Sequence, residues 1–335
     1  MWTVTNNTPY KAAGSWGRDK DGVHEWIVAV KAAYDIRPDG NVVLAEQQVE
    51  PLMAPEFNSD EGTSSLRYDA DLVATKPTTD VIVNGTAYAP NSRPSADFLI
   101  EMRIAEMHKV LRVIGDRTWG DGLFDDAPSR PEPVTEVPIV YERAYGGYDH
   151  VDPDPRKQAI DLRNPVGLGV LADKRNRPGN PLHNFEYPRG RVDKIGPAGF
   201  GAIASYWSPR LEYWGTYDEA WDAKRKPLLP NDWSPRSLQC APADQQSAAY
   251  LRGGEAVELV NLTRDGLLRF TLPKVYLAFT THISGRKEEH RGKLSTVIIE
   301  PDFPRVIMVW TSVLPCRTDV DYLDKTVVRE KRYIS

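Results

Sequence analysis

The stretch from Pro138 to Pro242 constrains the fold most, because it has many rings to bury and no period with which to bury them. It holds Tyr141-Glu142-Arg143-Ala144-Tyr145-Gly146-Gly147-Tyr148-Asp149, Asn164-Pro165-Val166-Gly167-Leu168-Gly169 and Gly196-Pro197-Ala198-Gly199-Phe200-Gly201. Trp207, Trp214, Trp221, Leu229-Pro230-Asn231-Asp232 and Trp233 follow. No apolar repeat of 2 or 3.6 residues persists through it. A solvated linker has no use for so many buried-type rings. Gly-Gly and Asn-Pro mark turns that need unusual dihedrals. The stretch therefore reads as an ordered, loop-rich core packed on regular structure supplied by the two ends of the chain.

Those ends have hairpin grammar. Trp26, Val28, Val30, Ala32 and Tyr34 share one strand face, Arg37 to Asn41 turn, and Val42 to Val49 return. Asp69 to Ala74 has the composition of a helical turn. Val81-Ile82-Val83 and Thr86-Ala87-Tyr88 flank Asn84-Gly85, which predicts either a tight turn or one strand with a bulge. Phe98 to Ile104 and Val110 to Ile114 read as antiparallel strands, and residues 120–137 as an exposed connector. In the centre, Thr216 and Glu219 have capping-box spacing for a helix over 217–225, and a second short helix is expected over Ala243 to Leu251. Later, Val257 and Leu259, then Leu268, Phe270 and Leu272, alternate around Arg264-Asp265-Gly266. Lys274 to His282 reads as a strand, and Leu294 to Glu300 and Val306 to Ser312 flank Pro301-Asp302-Phe303-Pro304 as a hairpin. The expected class is mainly β: antiparallel, sandwich-like sheets with a loop-rich central region and few short helices. We take the chain as one domain over 1–335, with a β-rich part at 1–120, the aromatic centre at 138–242 and a second β-rich part at 255–315.

Composition removes several function classes. Net charge is -5 over 335 residues, with acids and bases interspersed, which argues against a general nucleic-acid binder. Lys224-Arg225-Lys226 and Arg329-Glu330-Lys331-Arg332 could still make a local basic patch, though each reads as a solvated face. No run of about 20 apolar residues offers a membrane span, and Met1 to Asn7 has no signal-peptide character. Cys240 and Cys316 are the only cysteines and lack metal or redox spacing, which favours a reduced, cytoplasmic protein.

Catalytic motifs are weak. Gly167 to Ala172 and Gly199 to Ala204 match a dinucleotide string but lack the strand before and the helix after, and read as turn glycines. His150, Asp152 and Asp154, and His282 with Glu288, Glu289 and His290, lack metal-site register. No catalytic residue, metal or cofactor is expected. Glu142, Asp149, Asp218 and Glu219 lie among rings, as the acids of a carbohydrate-active hydrolase would. The plainer reading is that Arg143 pairs with a carboxylate to pin an irregular loop over the tryptophans.

The strings YERAYGGYD (141–149), RNPVGLG (163–169), PLHNFE (181–186), PAGFGAI (197–203), WSPR (207–210), GTYDEAWDAKRKPLLPNDW (215–233) and CAPADQQ (240–246) carry, in order, a family resemblance. The match continues through residues 64–90, 259–273 and 322–332. The chain resembles a bacterial family known as a domain of unknown function, whose members are adaptors that load toxic effectors onto the spike of the type VI secretion system. PLHNFE and YDADL (68–72) depart modestly from its pattern. The resemblance implies a cytoplasmic chaperone-like adaptor with two protein partners, an effector (toxin) and the spike protein, and with no nucleic acid or membrane. Its alternative is the hydrolase above. For the partner surface, Tyr148, Trp214 and Trp233 are the candidate anchors, because polar or turn residues flank each ring.

Overall fold

The computed structural model describes residues 2–120, 127–173, 178–316 and 320–331. Three sheets carry the fold. The largest runs Lys11–Arg18, His24–Ile36, Arg305–Cys316, Lys293–Glu300, Asp80–Val83, with Val42–Leu44 folded back on His24–Ile36. A five-stranded sheet runs Phe185–Glu186, Met107–Ile114, Asp97–Ile104, Ala256–Val260, Leu267–Thr271. A four-stranded sheet runs Thr3–Asn7, Leu323–Glu330, Leu277–Ile283, Arg286–Arg291. Pairing in these sheets is antiparallel except where Thr3–Asn7 lies parallel to Leu323–Glu330 and Asp80–Val83 parallel to Lys293–Glu300.

Alternation explains the outer strands. Phe98, Ile100, Met102 and Ile104 are buried, while Leu99 and Arg103 between them are exposed. His24–Ile36 behaves differently: nine of its residues in a row, Trp26 to Tyr34, are buried, as a strand covered on both faces must be. Trp26, Val28, Val30 and Ala32 face one core, shared with Ile100, Met102 and Leu259 of the five-stranded sheet and Phe279 and Val328 of the four-stranded sheet. Ala33 faces a second core with Ile82, Ile298 and Ile307. Tyr141, Ala144, Ala202, Ala204, Trp207 and Cys240 complete that core from the central stretch. The centre is therefore a layer laid over one face of the largest sheet, and the other two sheets cover the opposite face.

The protein is mainly β with antiparallel sheets, as the patterning requires, but several local expectations are corrected. The strand after Asn41 ends at Leu44; the Gln48 side chain then exchanges hydrogen bonds with the Ala33 backbone, donating to its carbonyl at 2.9 Å, and the chain leaves the sheet. Asp69 to Ala74 makes no helical turn, because Asp69 and Asp71 reach out to Arg210 and Lys31. Asn84-Gly85 is not a hairpin turn: Asp80–Val83 joins the largest sheet and Thr86–Tyr88 pairs with Glu136–Pro138. Part of the expected connector is thus a strand, with Val137 1% exposed; residues 121–126 lie outside the described residues. The helix is Glu219–Lys224, capped by Asp218, whose carboxylate accepts the Trp221 N–H at 2.8 Å. Thr216 instead donates its hydroxyl to Asp232 at 2.7 Å. Ala243 to Leu251 holds only a short turn, Ala243–Gln245, because Ser247 N–H bonds the Thr79 carbonyl and Gln245 reaches the Val81 and Phe200 carbonyls. Among the described strands of five or more residues, four had no counterpart in the pattern: Thr3–Asn7, Lys11–Arg18, Arg286–Arg291 and Leu323–Glu330.

Candidate functional surface

The first two motifs of the centre, 141–149 and 163–169, build a backbone knot. Tyr145–Gly146 pairs in parallel with Leu168–Gly169, and Gly147 N–H donates to the Asn164 carbonyl at 2.8 Å. The Asn164 side chain is fully buried and donates to the carbonyls of Tyr141 and Tyr145, at 2.8 and 3.0 Å. Gly146, at φ +148°, lies so close to Asn164 that a Cβ would sit 2.2 Å from its carbonyl oxygen. Gly147, at φ +116°, would meet the Gly167 carbonyl at 2.7 Å. These glycines let two loops interlock where no side chain fits. The second dinucleotide string, Gly199 to Ala204, runs into turns rather than a helix, and residues 174–177 after the first lie outside the described residues.

Contacts with residues outside the centre hold this layer down. Glu142 accepts from both the Ser65 N–H and the Ser65 hydroxyl, each at 2.7 Å. Arg210, 5% exposed, pairs with Asp69 at 2.6 Å and donates to the Ser237 and Ile203 carbonyls. Asp80 accepts from the Cys240 N–H and from Lys76, both at 2.8 Å, with Lys76 and Asp80 almost wholly buried. Burial would lower the Lys76 pKa, but Asp80, Cys240 and Asp69 outweigh it and the net shift is upward. Burial is also what drives the Cys240 thiol up, so it stays protonated and inert.

The acids that a hydrolase would use are mostly occupied. Asp149 accepts the N–H groups of Val151 and Ala172, and Asp218 caps its helix. Arg143 does pin a loop, bonding Asp116 at 3.2 Å and the Asn184 side-chain oxygen at 3.1 Å. Glu142 and Arg143 border a cleft of about 590 Å³ that Asp116, Glu132 and Asn184 also line. Glu219 lies exposed in the first helical turn. Asp152 and Asp154 pair with Lys157 and Arg156. Among the described residues no three histidines, cysteines or carboxylates meet as a metal site.

Beside its polar side chains, the centre exposes an excess of large apolar ones. Among the described residues, eight of the sixteen exposed large hydrophobic ones lie in it, although it is under a third of the chain. Tyr148, 48% exposed, stands opposite Ile160, 47% exposed, in a two-strand pairing that puts both on one face. Ser208 N–H donates to the Leu162 carbonyl, drawing exposed Leu162 toward the segment that carries exposed Tyr206 and Leu211. Arg163 donates to the Asp193 and Lys194 carbonyls beside exposed Ile195. Of the three expected anchors, Tyr148 is exposed, its hydroxyl donating to Gln158 at 2.6 Å. Trp214 and Trp233 are half-buried and share another knob, where Gly215 abuts the Trp233 backbone and Arg236 lies 4.3 Å over the Tyr213 ring. The structure thus separates Tyr148 from the tryptophan pair in its local contacts. Sequence reasoning missed Ile160, Leu162, Ile195 and Leu211, since isolated aliphatics pass for core. Their signal was the lack of any periodic partner in a Gly-, Pro- and Asp-rich stretch.

These features define a β-sheet scaffold with a pinned, ring-rich layer that carries uncovered apolar side chains. The chain belongs to the bacterial family described as "uncharacterized protein conserved in bacteria" (DUF2169), whose model matches residues 21–311. No curated protein and no solved structure matches it.

Proposed function

We propose that this protein is an adaptor that binds a toxic effector of the type VI secretion system in the cytoplasm and passes it to the spike protein. The observation that carries the reading is the uncovered apolar surface of the centre, held on a backbone tied down by buried ions. Exposed rings and aliphatics on a stiff base lose little entropy when covered, which is how recognition surfaces gain affinity. The family resemblance supplies the type of partner. The Tyr148–Ile160 face is the first contact we assign, with Trp214 and Trp233 a secondary one.

The test is a defined complex. The protein, the effector encoded beside it and the spike protein are co-expressed and separated by size. A Tyr148→Asp, Ile160→Asp double variant with an unchanged thermal midpoint is expected to lose the effector complex by about 100-fold in affinity, the scale of two anchor positions. Deleting the gene should stop delivery of that effector while the secretion machine still fires. Full effector delivery without the protein sinks the adaptor reading. Glycan hydrolysis by the purified protein that Glu142→Gln abolishes would favour the hydrolase, through the cleft beside Arg143.

A further inference from the structure

A second concave surface lies outside the centre. It is a cleft of about 710 Å³ between the Tyr250–Arg252 loop and the four-stranded sheet, where the chain crosses at Gly292 into the largest sheet. Its floor is apolar: Phe279 is fully buried, Leu294 is 2% exposed and Trp310 5%. Gly292 is needed there, since a Cβ would lie 2.6 Å from the Phe279 ring and 3.5 Å from Trp310.

The rim has the opposite character. Arg252, Arg291, Lys293 and Lys331 border the cleft, and Glu289 is the one carboxylate among its described lining residues. All four cations are exposed and none is in an ion pair among the described residues, while Lys293 lies 4.9 Å over the Tyr250 ring. Elsewhere on the surface some exposed arginines sit on carboxylates, as Arg103 does on Glu101, Arg156 on Asp154 and Arg191 on Asp193. Others, such as Arg37, Arg93 and Arg189, are in no ion pair among the described residues and lie scattered. What sets the cleft apart is that four such cations gather around one apolar floor, a local positive sign in a chain of net charge -5. His290, which also lines the cleft, has both ring nitrogens engaged, by Thr281 at 2.7 Å and Ser312 at 2.5 Å.

We infer that this cleft docks an acidic peptide segment of a partner protein, with one aromatic or aliphatic side chain on the Phe279–Trp310 floor and carboxylates on the rim cations. Two observations favour a peptide over a small anion. The cleft, at about 710 Å³ with cations from three stretches of chain along its rim, is larger than one small anion fills, whereas successive acidic residues can occupy it. The apolar floor of Phe279, Leu294 and Trp310 also suits a large side chain better than a small anion. Rim charges of this kind speed association and select the partner's sign more than they add affinity.

The inference is independent of the adaptor reading, because its test contains no effector. Random dodecapeptides are displayed and selected on the intact protein, in parallel with an Arg291→Glu, Lys293→Glu variant whose thermal midpoint matches. Wild type is expected to enrich sequences with several Asp or Glu residues around an aromatic or large aliphatic one, and the variant to lose that enrichment. A labelled representative should bind wild type at least about tenfold more tightly than the variant by anisotropy, and weaken as salt rises. No acidic enrichment, or equal binding by the variant, overturns the proposal. Self-association of wild type that the two reversals abolish would assign the cleft to a second copy of this chain and also overturn it.

Discussion

The knot at Gly146, Gly147 and Asn164 shows how single residues fix an irregular layer. Left-handed backbone and a missing Cβ act together there, so a substitution meets both strain and a collision. Gly147→Val is expected to lower unfolding free energy by about 2–4 kcal/mol, the sum of a strained dihedral and overpacking. Asn164→Ala strips hydrogen bonds from two backbone carbonyls and is expected to cost about 2–4 kcal/mol. Urea denaturation measures both, and an unchanged midpoint in either would mean that the two loops are not locked. The need for Gly-Gly was legible, since flanking tyrosines leave no other reason for two adjacent glycines. Its partner was not: nothing local ties Gly146 to Asn164, and only the fold brings them into contact. The same limit explains the tryptophans. Trp214 and Trp233 look exposed by their neighbours, yet they are half-covered by chain segments that sequence distance hides.

At the scale of elements, two sheets are joined by one directed line of hydrogen bonds. Trp26 Nε1 of the largest sheet donates to the Thr326 hydroxyl of the four-stranded sheet at 2.8 Å. Thr326 and Thr281 are linked at 2.7 Å, Thr281 meets His290 Nε2, and His290 Nδ1 meets the Ser312 hydroxyl back on the largest sheet. Ser312 donates onward to the Arg291 carbonyl at 3.1 Å. The fixed donor at Trp26 and fixed acceptor at Arg291 assign every hydrogen between them: Nε2 of His290 accepts and Nδ1 donates. A second ring proton would leave one hydroxyl hydrogen with no acceptor. Burial lowers the His290 pKa from 6.5 to about 4, and the line of donors acts in the same direction. With the folded pKa below the unfolded one, the unfolded chain binds the extra proton first. Stability from this group is complete above pH 6.5 and lost as pH falls toward 4, by up to about 3 kcal/mol. His290→Asn is expected to lower stability at pH 7 but to flatten the slope between pH 6.5 and 4. A slope equal to that of wild type would show that His290 does not titrate across this seam. Hairpins such as Asp97–Ile104 with Met107–Ile114 were legible because alternation and a short turn sit in one window. The helix cap was misplaced by two residues because Asp232, distant in sequence, competes for Thr216 and leaves capping to Asp218.

At the scale of the molecule, chain ends interleave. His24–Ile36 lies between Lys11–Arg18 and Arg305–Cys316, and Thr3–Asn7 is held by Leu323–Glu330. Local patterning contains no term for such pairings, which is why the two β-rich ends read as separate parts of one domain. The centre depends on both. Its buried residues Tyr141, Ala202, Ala204 and Trp207 have Ala33, Ile82, Ile298 and Ile307 as their opposite wall, contributed by strands from both ends of the chain. Its own regular elements are two-residue strands and short helical turns, which do not make a core. Its pins also come from outside, with Ser65 on Glu142, Asp69 on Arg210 and Asp80 on Cys240 N–H. Cut free, residues 138–242 would expose that apolar face and leave Arg210 without its carboxylate, a loss on the scale of several kcal/mol for a buried pair. The isolated fragment is therefore expected to give collapsed amide dispersion and no cooperative urea transition, while the full chain unfolds in one step. Adding the remaining chain as two separate pieces, 1–137 and 243–335, should restore dispersion only when both are present, because each supplies one part of the wall. A fragment that folds alone, or that one piece suffices to order, would show that the centre has a core of its own.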